Sequence, residues 1–98
     1  MTKTYYHATP FENLDSIMEK GILKDRYGYV YLTTKPDEAA RFVAIHMCRD
    51  ILVVEVDLEE DLVEESFDHS QTFFKCRAYR YQGDVSPDDI REIHRYQL

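Results

Sequence analysis

Tyr5-Tyr6-His7-Ala8-Thr9-Pro10 decides how the rest of the chain is read: a strand-forming aromatic run ends there in an imidazole and a hydroxyl, just before a helix-start signal. A second block of the same kind, Gly28-Tyr29-Val30-Tyr31-Leu32-Thr33-Thr34, runs into Lys35-Pro36-Asp37-Glu38. Each brings polar side chains to a strand-to-helix junction, where small-molecule sites are commonly built. In the first block, Thr9 as N-cap, Pro10 at the first helical position and Glu12 three residues on make a capping box. Phe11, Leu14, Ile17 and Met18 then share one helical face, and Gly21 stands where a C-terminal cap belongs. The spacing predicts a strand over residues 4–8 and a helix over about 10–20.

Outward from these blocks, Tyr29 to Thr33 reads as a second strand, and Ala39, Ala40, Phe42, Val43 and Met47 supply the face of a second helix reaching about Cys48. Ile51-Leu52-Val53-Val54-Glu55-Val56-Asp57 is a β-branched run too apolar for a sheet edge and too short for a buried helix, so a central strand is expected. Leu58 to Asp68 is acidic and reads as a surface connection. Thr72 to Gln82 reads as an aromatic and basic strand, and Gly83-Asp84 as a turn. Ser86-Pro87-Asp88-Asp89 suits a single helical turn, with a last strand over 92–96. The whole predicts an α+β domain, two main helices on one side of a small, bent mixed β-sheet, spanning residues 1–98 as one unit.

The 98 residues carry a formal charge of −7, which opposes general attraction to phosphate backbones. Arg77, Arg80 and Arg95 on one face would be needed for a nucleic-acid surface, and the Lys75 to Tyr81 strand could otherwise meet a phosphate or an acidic partner. No apolar run approaches the ~20 residues that cross a bilayer, and Met1-Thr2-Lys3-Thr4-Tyr5 lacks the core of a signal peptide, so a cytoplasmic location is expected. Cys48 and Cys76 read as reduced thiols. His69 and His94 show no metal-type spacing and read as surface residues, and no metal is expected.

The ordered series Tyr6-His7-Ala8-Thr9, Leu14 to Ile22, Tyr29-Val30-Tyr31-Leu32-Thr33, Ala39-Ala40-Arg41-Phe42 and Val53-Val54-Glu55-Val56 resembles the ADP-ribosyltransferase superfamily. It is most similar to the catalytic lobe of RNA 2'-phosphotransferases and to small relatives of DNA ADP-ribosylating toxins, with Val85-Ser86-Pro87-Asp88-Asp89-Ile90 similar to their Val-Pro-Pro-x-x-Ile segment. The resemblance implies an NAD site. His7 would hydrogen-bond the ribose, with Ala8, Thr9 and Thr33 as supporting contacts, and Tyr31 and Phe42 would stack the nicotinamide.

A strand Glu serves the oxocarbenium-like transition state in many members of that superfamily. The matching position here carries Arg77 or Ala78, with Gln71 and Asp84 the nearest substitutes. The phosphotransferases' arginine corresponds to His46 or Arg49. Two functions follow as expectations. One is NAD-dependent transfer of ADP-ribose to a macromolecular acceptor, and the other a catalytically deficient module that binds a nucleotide or a protein partner.

Overall fold

In the computed structural model, residues 1–36, 49–66 and 78–97 are described. β1 (Thr2–Pro10) extends further than the aromatic run suggests, because its backbone pairs residue by residue with β3 (Asp50–Glu59), from Thr2 opposite Glu59 to Pro10 opposite Ile51. Pro10 is tolerated at the strand's last position, with extended angles of φ −58° and ψ 144°. A single 3-10 turn, Phe11–Asn13, leads into α1 (Leu14–Lys20). β2 (Tyr29–Thr33), β4 (Val63–Ser66), β5 (Ala78–Gln82) and β6 (Ile90–Gln97) complete a six-stranded sheet in the order β4-β5-β2-β1-β3-β6.

The expected α+β, ADP-ribosyltransferase-like architecture of two main helices on a mixed sheet is overturned. Among the described residues every strand pairing is antiparallel and the one α-helix is the short Leu14–Lys20, so these residues are mostly β. The second expected helix falls, from residue 37 to Cys48, outside the described residues. The capping box also fails. Thr9 is still in the β1–β3 ladder opposite Leu52, its hydroxyl accepts from Asn13 Nδ2 at 2.7 Å, and α1 begins only at Leu14.

The sheet has two faces. Side chains alternate along a strand and directly opposed residues of a ladder share a face, so Tyr5, His7 and Thr9 stand with Val56, Val54 and Leu52. Of these, Tyr5, Val56, Val54 and Leu52 build the main core with Val30, Leu32, Ile17 and Val85. Tyr6, Ala8, Glu55, Glu92 and His94 stand on the second face, where Ile51 and Val53 are fully buried. β3 thus has both faces covered at its start, which is why its sequence is nearly continuous in apolar residues.

Both outer strands carry devices against further pairing. β4 is four residues long and acidic, and β6 presents Arg91, Glu92 and Arg95. Arg80 of β5 bonds Glu64 of β4 at 2.7 Å, so part of the acidic connection expected over residues 58–68 is a strand, held by a cross-strand pair. No helix of the described residues is long and apolar enough to cross a membrane.

Candidate functional site

The loop after α1 makes one wall of a cleft. Gly21 leaves the helix with its N–H on the Ile17 carbonyl, and Ile22 and Val85 exchange two backbone hydrogen bonds of 3.0 and 2.8 Å. Lys24 N–H donates to Asp84 Oδ1 at 2.7 Å, and Asp25 Oδ1 accepts from the N–H groups of Tyr27 and Tyr29, an Asx-type turn that feeds β2. The opposite wall is β1 and the floor is α1. The space between, about 230 Å³, is lined by His7, Thr9, Asn13, Ser16 and the Gly21 to Leu23 segment.

His7 is the best-defined group there. Its Nδ1 lies 2.8 Å from the Tyr31 carbonyl oxygen, which can only accept, so Nδ1 carries the hydrogen and Nε2 is left as an acceptor in the neutral ring. Burial lowers the His7 pKa below the ordinary value, outweighing the opposing effect of the Tyr31 carbonyl, so the ring is neutral at physiological pH. Among the described residues no buried side-chain nitrogen or oxygen lacks a partner and none holds Nε2, so within them this atom stays open, on a ring that lines the cleft. The result is a fixed acceptor beside the hydroxyls of Thr9 and Ser16 and the amide of Asn13, a set suited to hydroxyl groups of a ligand.

The residues expected to share an NAD site are divided by the sheet. His7 and Thr9 come together on the main-core face. Thr33 pairs with Tyr6, which sends Thr33 and Tyr31, with Ala8, to the second face. Tyr31 meets His7 through its carbonyl rather than its ring, and the Thr33 hydroxyl donates to the Lys35 carbonyl at 2.8 Å. Phe42, His46, Gln71 and Arg77 lie outside the described residues. Asp84, one of the substitutes for the strand Glu, spends its carboxylate on the Lys24 amide, and Ala78 sits in the ladder opposite Thr33.

Sequence reasoning missed Asn13 and Ser16. Both sit on the helical segment that follows β1, and their four-residue and longer offsets from Thr9 would have pointed to a shared wall only if the strand had been carried to Pro10.

Of the arginines singled out as a basic patch, Arg77 lies outside the described residues, and Arg80 and Arg95 are ion-paired. Arg80 meets Glu64, Arg91 Nε is 3.4 Å from Asp57, and Arg95 bonds Asp50 through two nitrogens at 2.9 and 2.7 Å. That fork holds the Asp50 carboxyl below its usual range and raises the Arg95 guanidinium, while the same guanidinium stacks 3.8 Å from the Phe11 ring centre. Arg49 is exposed and borders a shallow depression with Pro10, Phe11, Glu12 and Asp50. A larger hollow of about 500 Å³, between α1 and β6, is walled mainly by Phe11, Leu14, Met18, Ile90 and Ile93. Comparison with protein-family models and with curated proteins finds no match.

Proposed function

We propose that the His7–Thr9 cleft binds the ribose of NAD or ADP-ribose, and that the chain works as an ADP-ribosyltransferase-like protein. The observation that carries the reading is the His7 tautomer. A neutral imidazole whose Nδ1–H is taken by a carbonyl offers Nε2 as an acceptor to a sugar hydroxyl, and it offers an anionic phosphate no charge. A space of about 230 Å³ suits one sugar ring, with the rest of a dinucleotide lying along the surface outside it. The macromolecular acceptor of a transfer reaction, and a cytoplasmic location with Cys48 and Cys76 reduced, belong to the same proposal.

The second reading, a nucleotide-binding module without turnover, is supported by the neutral lining of the cleft and by the structural use of Asp84. Calorimetric titration with NAD and with ADP-ribose, alongside an assay for released nicotinamide, separates the two. Saturable binding that weakens about three- to tenfold in His7→Ala, the size of one neutral hydrogen bond, supports the site. Binding with nicotinamide release identifies the transferase, and binding without release the module. Equal affinity in His7→Ala and the native protein overturns the site.

A further inference from the structure

We propose that Glu55, Glu92 and His94 form a binding site for a divalent transition cation of the zinc type, on the second face of the β3–β6 ladder. Glu55 and Glu92 stand directly opposite one another, and His94 is the next residue of β6 on that face. One donor atom from each lies within 4.8 Å of the other two. His94 Nε2 and Glu92 Oε2 are 3.4 Å apart, which matches the edge of a tetrahedron whose metal–ligand bonds are about 2.0–2.1 Å.

A further observation supports a cation. Like charges facing each other across a ladder oppose pairing, yet here the register places two carboxylates together. Arg91 offsets this in part, its Nε lying 3.9 Å from Glu55 and 3.4 Å from Asp57. Tyr6 stands opposite Glu55 in the β1–β3 ladder and so shares this face.

Exposure also fits. The Glu55 side chain is 16% exposed, while His94 and Glu92 are 42% and 65% exposed, so an ion can enter and keep a water as its fourth ligand. One imidazole with two carboxylates favours zinc-like ions over calcium or magnesium, which take all-oxygen sets. The bound ion would pin the outer strand β6 to β3.

The test is calorimetric titration of the chelator-treated whole chain with zinc sulfate, paired with thermal unfolding with and without zinc. Saturable binding of one ion and a raised melting temperature are expected. Glu92→Gln and His94→Ala, both at exposed positions that leave the fold intact, should each weaken binding by at least about tenfold. Zinc binding that is unchanged in Glu92→Gln and His94→Ala, or that never saturates at micromolar zinc in the native chain, overturns the proposal.

Discussion

Replacing Gly21 by alanine should be among the most damaging single changes in the chain, and its cost can be worked from the local geometry. Gly21 has φ +81° and ψ −160°, a region open essentially to glycine alone, where another residue costs about 1–3 kcal/mol. The added methyl would lie 2.0 Å from the Val85 carbonyl oxygen and 2.9 Å from Pro87 Cδ, too close for either to stay in place. That carbonyl accepts the Ile22 N–H, and the reciprocal bond runs from Val85 N–H to Ile22. Losing both adds roughly 0.5–1.5 kcal/mol each, giving about 2–6 kcal/mol in all.

Stability of such domains is about 5–15 kcal/mol, so much of it would go. Gly28→Ala is the matched control. Its φ is +90° but nothing lies within 4 Å of the added methyl, so only the backbone term of about 1–2 kcal/mol applies. Urea unfolding followed by circular dichroism measures both. Equal losses in the two variants, or a Gly21→Ala loss under about 1 kcal/mol, would refute the reasoning.

Stability should also depend on pH through His7. Its folded-state pKa is depressed, so the unfolded chain binds the proton first as pH falls below about 6.5, and stability declines from there with a slope of up to about 1.4 kcal/mol per pH unit. Above that pH the contribution is fully present. His7→Gln should flatten this part of the urea midpoint profile between pH 7 and pH 5, and an identical slope in both proteins would contradict it. In the core, Leu52→Ala, at a position 1% exposed, should cost about 2–5 kcal/mol in urea unfolding. Met18→Ala, at a position 63% exposed on the same side of the sheet, should stay within about 0.5 kcal/mol.

Part of this fold was legible in the residues themselves. Tyr29–Thr33 was found at its exact bounds and the run from Ile51 lies inside the sheet, because β-branched and aromatic residues bounded by turn formers leave few other local solutions. Ser86 does cap the 3-10 turn Pro87–Asp89, accepting from the Asp88 N–H. The capping box at Thr9 misled because the local signal competed with a nine-residue ladder to β3, and the ladder claimed the backbone. β4 was hidden in an acidic stretch, since Glu64 becomes compatible with a strand only when Arg80 stands opposite it.

The sequence by itself determined that His7 and Thr9 share a side. They are two residues apart on one strand, and a pleated chain leaves no other arrangement. It also determined that β3 would be buried, from its unbroken apolar run. Only the tertiary structure decided which partners reach them. Pairing of Tyr6 with Thr33 turns the Tyr31 ring away from His7 and delivers its carbonyl instead, and the register of β3 with β6 brings Glu55, Glu92 and His94 together. Register between distant strands is set by the whole set of ladder and core contacts, and a shift of one residue would exchange the faces.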